Sequence, residues 1–381
     1  MNLLNIIQCT NLGGMEQASL RLMKGFIQNG HRVSLLSLNP LGALTEALDT
    51  AGISSKGLDY IGEGRMRNWL LLRKLIQASA PDSILMTGHN LMAQLALGNV
   101  CWGRRVLAIH FHHSGVKRIW QWRIIYANAC KRFRAIVFPS EFVRREAENI
   151  YPPLGEISHV IRYPMEMREA HSETDRQTAR NILRLPGLDV PLVGNAGWLI
   201  KRKRWDVFLK VAAKVSAELP KVRFVIAGDG PEKNRLMSLA TDLGIQEKVF
   251  WLGWIKEMKI FYQSLNAVLF NSDWDALPVT PQEAMSYGVP VVASILHGGL
   301  GEIILDHSQG FLLHEHETEM LADRLCTLIA DPILANEVGK NGSARIALLS
   351  SPEKIGYAYE KLLRMDEGNS CSHGMLKKTK F

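Results

Sequence analysis

The chain opens on a short apolar run, residues 3–9, that ends in Asn11-Leu12-Gly13-Gly14. A run of this length bounded by turn residues reads as a buried strand. Between Glu16 and Gln28 the apolar positions change to helical spacing, with Leu20, Leu22, Met23, Phe26 and Ile27, and Asn29-Gly30 supplies a stop. Residues 32–37 form a second apolar run. Strand, glycine loop, helix, strand is the unit of a parallel sheet covered by helices. The pattern continues with predicted strands over 83–86, 106–109 and 135–138, separated by helical stretches. A polar stretch, 166–189, interrupts it, and the same alternation then starts again. Strands are predicted over 192–197, 222–227, 248–252, 267–270 and 290–293, with a helix over 205–218. The reading is α/β: two Rossmann-like domains facing across a cleft. The first covers 1–165 and the second 166–351. A last helix, 352–365, is predicted to cross back to the first domain, and a polar tail, 366–381, is predicted to be disordered. In open α/β sheets ligands lie beyond the carboxyl ends of the strands, so the loops that follow strands are where chemistry is sought.

Composition agrees with two ordinary globular domains. The 381 residues are 47% hydrophobic and 22% charged, which excludes intrinsic disorder, collagen-like repeats and a disulfide scaffold. Five cysteines (Cys9, Cys101, Cys130, Cys326, Cys371) are scattered without a C-x-x-C pair and read as reduced thiols. No signal peptide and no run of 18 uncharged apolar residues is visible, so a cytoplasmic protein is expected, with any membrane contact peripheral.

Charge changes the picture more. The net charge is +8, but residues 1–165 hold 19 Lys+Arg against 10 Asp+Glu, while 166–381 hold 26 against 27. A basic half on a neutral half points to a one-sided anionic partner: nucleic acid, a membrane surface or a phosphorylated substrate.

The segment richest in candidate chemistry is 271–293. It carries two carboxylates, Asp275 and Glu283, eight positions apart. Thr280 and Glu283 form the pattern of a capping box, with Pro281 at the first helical position. The same helix start offers free amides and a positive dipole end to a phosphate, and a carboxylate beside it suits the two hydroxyls of a ribose. Residues alone leave both readings open.

This stretch resembles the E-x-x-x-x-x-x-x-E pattern of retaining, nucleotide-sugar-dependent glycosyltransferases of the GT-B fold, in glycosyltransferase family four. The resemblance implies that Glu283 binds the donor ribose and that Asp275, an Asp where the family has Glu, reaches hydroxyls of the donor sugar. Leu277 then lies in the donor loop. The resemblance runs along almost the whole chain. Gly13-Gly14, followed by a helix and Gly30-His31-Arg32-Val33, matches the family's glycine loop against the donor diphosphate. Residues 197–203 resemble G-R-L-x-x-x-K, whose Arg and Lys grip the diphosphate. Lys203 matches, but Trp198 stands at the Arg position, and Arg202 and Arg204 are the candidates for the missing charge. A solvated basic turn is the plain alternative for 201–204.

Gly298 and Gly299 match a G-G-x-x-E loop near the donor, while Glu302 is expected to cap the following helix and Asp229 to serve a turn. Residues 108–115 end a strand with His110, His112 and His113. The family has a functional His there, best matched by His112, with His110 and His113 as rivals. Catalysis is thus expected from His112, Asp275 and Lys203, with donor contacts at Gly13, Gly14, Lys203, Glu283, Leu277, Gly298 and Gly299. No acidic cluster with metal-ligand spacing is seen, so no metal and no cofactor is expected, the nucleotide sugar being a substrate.

The basic excess concentrates in 104–134, where Lys117, Arg118, Trp120, Trp122, Arg123, Lys131 and Arg132 interleave cations with aromatics. A second such stretch is 65–74. Both fit interfacial amphipathic helices, or ordinary helices with cations outward. With the resemblance, they imply an acceptor domain docked on the inner face of the cytoplasmic membrane, facing a polyprenyl-diphosphate-linked or glycan acceptor. The expected function is a retaining hexosyltransferase using a nucleotide sugar, UDP-linked, in bacterial surface polysaccharide synthesis (O-antigen, capsule or lipopolysaccharide). The rivals are a nucleotide-sugar 2-epimerase of similar fold and a basic nucleic-acid-binding protein. No nucleic-acid motif supports the latter, and no G-x-G-x-x-G follows the first strand to support a dehydrogenase.

Overall fold

The computed structural model describes residues 1–11, 13–59, 66–101, 104–109, 117–166, 172–313 and 315–364. Seven parallel strands form the first sheet: β1 (Asn2–Ile7), β2 (Arg32–Ser37), β3 (Ser54–Gly57), β4 (Ser83–Thr87), β5 (Arg105–Ala108), β6 (Ala135–Phe138) and β7 (Ser158–Val160). Their order is β3-β2-β1-β4-β5-β6-β7. The second sheet has six: β8 (Leu192–Ala196), β9 (Arg223–Ala227), β10 (Val249–Gly253), β11 (Ala267–Asp275), β12 (Val291–Gly298) and β13 (Phe311–Leu313), in the order β10-β9-β8-β11-β12-β13. The sequence pattern reached neither the short polar β3 and β7 nor β13. It also ended β11 five residues early.

Helices cover both faces of each sheet, so the central strands are buried on both sides and read as continuous apolar runs. In the first domain these are α1 (Gly14–Gln28), α2 (Thr45–Thr50), α3 (Met66–Ala78), α4 (Leu91–Ala96), α5 (Ile119–Arg132) and α6 (Glu141–Ile150). The second carries α7 (Glu173–Leu183), α8 (Trp205–Glu218), α9 (Lys233–Asp242), α10 (Met258–Ser264), α11 (Val279–Ser286), α12 (Thr318–Ala330) and α13 (Pro332–Ser350). The polar stretch after β7 thus includes a helix, α7, which packs on α10. The last helix, α14 (Pro352–Leu363), packs on α1, β4 and β5 of the first domain. There the Ser83 hydroxyl donates to the Leu363 carbonyl at 3.1 Å, and Asn29 donates to Glu360 at 2.7 Å.

Strand order reverses between β1 and β4 in one sheet and between β8 and β11 in the other. Each reversal opens a crevice at the carboxyl ends, and the glycine loops after β1 and β8 sit at these two points. The domains are also stitched together. Trp274 and Ala276, at and just beyond the end of β11, pack into the core of the first domain. Ser140 donates to the Ala276 carbonyl at 2.8 Å. Glu302, predicted as a cap for its own following helix, instead accepts from the Phe142 amide at 2.9 Å at the start of α6 and pairs with Arg162 at 3.2 Å. No α-helix follows it directly, so its carboxylate serves the other domain's free amides.

One residue of the expected basic-aromatic patch is displaced by the fold. Trp122 is fully buried in the first core, stacked on Tyr126. On α5 it falls three residues before Ile125, on the sheet-facing stripe. Ile119, Trp120 and Ile124 lie on the opposite face and are about half exposed, with Arg118, Arg123 and Lys131 exposed beside them. Leu70 and Leu71 are similarly exposed on α3. Lys117 and Arg132 are half-buried, and Arg132 donates to Asn128.

Candidate active site

A cavity of about 530 Å³ lies between the domains, at the two points of strand reversal. The loop after β1 forms one wall. Gly13 is extended and precedes α1, and a Cβ there would fall 2.1 Å from Glu16 Oε2. A Cβ on Gly14 would sit 3.0 Å from Val279 Cγ2, at the first turn of α11. Gly14 therefore lets the first domain's backbone approach the amino end of a helix in the second, while Gly13 makes way for the Glu16 carboxyl. Burial pushes the Glu16 carboxyl above the usual carboxylate range, and the Cys9 thiol donates to it at 3.2 Å.

Glu283 faces this cavity from α11. The helix begins earlier than its capping pattern suggested: Pro278 is the N-cap, so Pro281 is the third helical residue and Glu283 the fifth. No side chain caps it. Thr280 instead donates to the Ala196 carbonyl at 2.9 Å, tying α11 to the end of β8. Glu283 accepts from the Tyr262 hydroxyl at 2.9 Å and from the Arg21 guanidinium, which reaches across from α1. Its side chain is 12% exposed and that of Arg21 17%. Burial pulls the Arg21 guanidinium down, but Glu283 outweighs it and holds the group above its usual range. Burial, then Glu283 itself, pushes the Tyr262 phenol far up, so it stays a donor.

The other predicted carboxylate belongs to a separate cluster. Asp275, the last residue of β11, is paired with Lys203, and Arg202 lies 3.7 Å from it. Arg202 also donates to the Trp274 carbonyl. The cations Lys201, Arg202, Lys203 and Arg204 do not line the interdomain cavity. Arg204 is committed elsewhere, to Asp206 at 3.1 Å and Asp273 at 3.0 Å. Trp198, at the position of the family Arg, turns its ring edge-on to Trp254 with centroids 4.9 Å apart.

The remaining donor candidates sit nearby in different roles. Leu277 is 2% exposed and packed in the second core, so its side chain is not available to a ligand. Gly299 lies at the domain seam, where a Cβ would be 2.6 Å from both the Ala276 carbonyl and Ser140 Cβ. Gly298, at a left-handed φ of +156, lets β12 run close beside β11, since a Cβ there would fall 2.2 Å from the Asp275 carbonyl oxygen. Asp229 pairs with Lys233 at 2.9 Å within its turn. His110, His112 and His113 lie outside the described residues.

A buried network braces the strand ends that carry Asp275. His316 Nδ1 lies 2.6 Å from the Ser294 hydroxyl, and its Nε2 lies 3.2 Å from Asp273. Asn271 donates to Ser294 at 2.8 Å. A neutral ring satisfies both contacts, accepting from Ser294 and donating to Asp273. Burial holds the His316 imidazole below its usual value, with Arg204 adding to this and Asp273 opposing it.

Sequence reasoning missed Arg21, Lys24, Lys256, Lys259 and Tyr262, all on the cavity wall. For α1 a signal existed. Gly14, Gln17, Arg21 and Lys24 recur at three- and four-residue steps, a polar stripe on one helix face that begins in the glycine loop.

Two family models match the chain: "Glycosyl transferases group 1" over residues 175–345 and "Glycosyltransferase Family 4" over residues 12–162. Between them they take in both domains. The chain belongs to the GT-B glycosyltransferases. Among similar proteins, the poly(ribitol-phosphate) alpha-N-acetylglucosaminyltransferase of Staphylococcus aureus is 27% identical over 43% of this glycosyltransferase and 33% of its own length. The lipopolysaccharide core biosynthesis glycosyltransferase LpsE of Rhizobium meliloti is 27% identical over 46% of this chain and 50% of its own. The matches thus span half of these relatives' length or less. The crystal structure of Anabaena HepE in complex with UDP and glucose superposes with a TM-score of 0.81 at 20% identity, covering 95% of this chain and 99% of that one. Staphylococcus aureus TarM, crystallised with Fondaparinux, alpha-GlcNAc-glycerol and UDP, gives 0.79 at 16% identity, over 96% and 100%. These likenesses show the same two-domain fold.

Proposed function

We propose that this glycosyltransferase is a retaining hexosyltransferase that moves a sugar from a nucleotide sugar, with UDP as the nucleotide, to a lipid-linked or glycan acceptor in bacterial surface polysaccharide synthesis. One observation carries the reading. Glu283, a carboxylate of the kind that suits two ribose hydroxyls, shares a cavity with Gly13-Gly14 and with the amino end of α11, which suit a diphosphate. The UDP bound in HepE and TarM and the names of the relatives support this choice of donor and pathway.

The chemistry follows from retention of configuration. The acceptor hydroxyl attacks the anomeric carbon on the face from which the diphosphate leaves, and the departing phosphate oxygen takes the acceptor's proton. Asp275, held by Lys203, and a histidine of 110–113 hold the sugar, and the cavity cations offset the charge growing on the leaving group without a metal. Closure of the two domains keeps water away from the reacting centre.

The exposed Ile119, Trp120 and Ile124 on α5 and Leu70 and Leu71 on α3, flanked by Arg118, Arg123 and Lys131, support docking of the first domain on an anionic membrane that carries a polyprenyl-diphosphate acceptor. Among the described residues no helix is long and apolar enough to cross a membrane. The test is a donor screen: purified enzyme, EDTA and a synthetic lipid-diphosphate sugar acceptor should release UDP from one UDP-sugar. Absence of nucleoside diphosphate release from every nucleotide sugar offered refutes the assignment. Flotation with anionic vesicles at low and high salt tests the docking, which high salt should reverse.

A further inference from the structure

The diphosphate of a nucleotide sugar needs cations close by, yet the cations that the sequence offers at 201–204 do not line the cavity. Trp198 carries no charge, Lys203 is paired with Asp275, and Arg204 is held by Asp206 and Asp273. None of the three lines the cavity. The cavity draws cations instead from Lys256 and Lys259 of the second domain and from α1, where Gly14, Gln17, Arg21 and Lys24 form one stripe along its wall and Arg21 alone is paired with Glu283. Arg21 stands two turns beyond the glycine loop. In the ligand-free chain it rests on Glu283, the same carboxylate read above as the ribose holder. Tyr262 occupies the second oxygen of that carboxylate. Each oxygen of Glu283 thus already accepts one hydrogen bond before a nucleotide arrives.

We infer that Arg21 is a donor-phosphate ligand that rests on Glu283 in the empty enzyme and changes partner when a nucleoside diphosphate binds. The inference rests on the nucleotide-sugar reading above. The ribose hydroxyls take Glu283, and the displaced guanidinium turns to the diphosphate in the same cavity. One guanidinium then couples the two halves of the nucleotide. A nucleoside without phosphate must break the Arg21–Glu283 pair and leave a buried guanidinium with only the weaker pull of Glu166, on the same cavity wall, to offset it, which costs affinity. A nucleoside diphosphate replaces one carboxylate partner by another anion, and arginine suits both because its planar fork matches each. A residue of the acceptor domain therefore contributes to discrimination between nucleoside and nucleoside diphosphate, alongside Lys256 and Lys259 of the second domain on the same wall.

Calorimetry on the full chain with UDP and with uridine separates this role from a structural one. Arg21→Ala should weaken UDP by about tenfold to a hundredfold, the range of a lost charge-assisted contact. It should leave uridine binding unchanged or tighter, because the competing partner of Glu283 is gone. Arg21→Lys should restore part of the UDP affinity. Equal weakening of both ligands, equal tightening of both, or no change in either overturns the inference. If Arg21→Ala does not fold, Arg21→Gln keeps the side-chain volume and is read in the same way. A wild-type chain that binds UDP with Arg21 indifferent to it leaves the donor reading standing and removes only this inference. A wild-type chain that binds none of UDP, GDP, ADP and CDP removes both.

Discussion

Glutamine at position 283 decides between two physical roles for one carboxylate. A capping box accepts Glu or Gln at its third position, so a helix cap predicts that Glu283→Gln costs almost nothing. The structure predicts a large cost, because the side chain of Glu283 is the charged partner of Arg21 across the domain cleft. With side-chain exposures of 12% and 17%, solvent screens the pair little. A pair at contact distance in an effective dielectric near 20 is worth about 4 kcal/mol before desolvation. Removing one partner from a buried pair typically costs about 3–5 kcal/mol. The amide oxygen of Gln still accepts from Tyr262, so that bond survives. The expected loss is about 3 kcal/mol in urea unfolding of the ligand-free chain. Arg21→Met in the Glu283→Gln background should recover much of it, which a double-mutant cycle reads as a coupling of about 2 kcal/mol or more. A Glu283→Gln protein within about 0.5 kcal/mol of wild type would refute the reasoning.

Three further outcomes are expected. Gly299→Ala places a Cβ 2.6 Å from Ser140 Cβ and should destabilise by about 1–3 kcal/mol, whereas Gly301→Ala, whose nearest neighbour would be 3.8 Å away, should stay within about 0.5 kcal/mol in the same urea titration. Trp122→Ala should cost about 3–5 kcal/mol of stability through the cavity it leaves, while Trp120→Ala, 55% exposed, should leave stability nearly unchanged and lower the fraction floating with anionic vesicles. The lowered His316 means that below about pH 6.5 the unfolded chain binds the extra proton first. Stability is therefore full above that pH and falls as pH drops toward the folded value. His316→Gln should flatten the decline of the urea midpoint between pH 7.5 and 5.5, and an unchanged slope would assign it to other groups.

The doubly wound fold was legible because strands buried on both faces must be apolar throughout, and such runs stand out between amphipathic helices. Of the strands that escaped, β3 and β7 are short edge strands with polar residues, where ladder bonds rather than burial hold the chain, and β13 is an edge strand of only three residues. At the site, the pieces that follow a glycine or a carboxylate could be placed in sequence: Gly13, Gly14 and Glu283 do meet in one cavity. Contacts that cross between domains could not. Nothing in the order of residues ties Arg21 to Glu283, 262 positions away, or Glu302 to the start of α6. The role of Trp122 turned on one step around a helix, which a run of interleaved cations and aromatics does not fix.

The return of α14 to the first domain bears on how the polypeptide is made. Ile355, Tyr359 and Leu363 complete the core between β1, β4, β5 and α1. A ribosome delivers the amino-terminal sheet first, and that sheet waits with this flank uncovered while some two hundred later residues are synthesised. The closing segment arrives only after the second domain has emerged. Nascent chains halted before residue 352 should therefore hold an open, chaperone-accessible face, and completion of synthesis doubles as the step that seals the first half of the molecule.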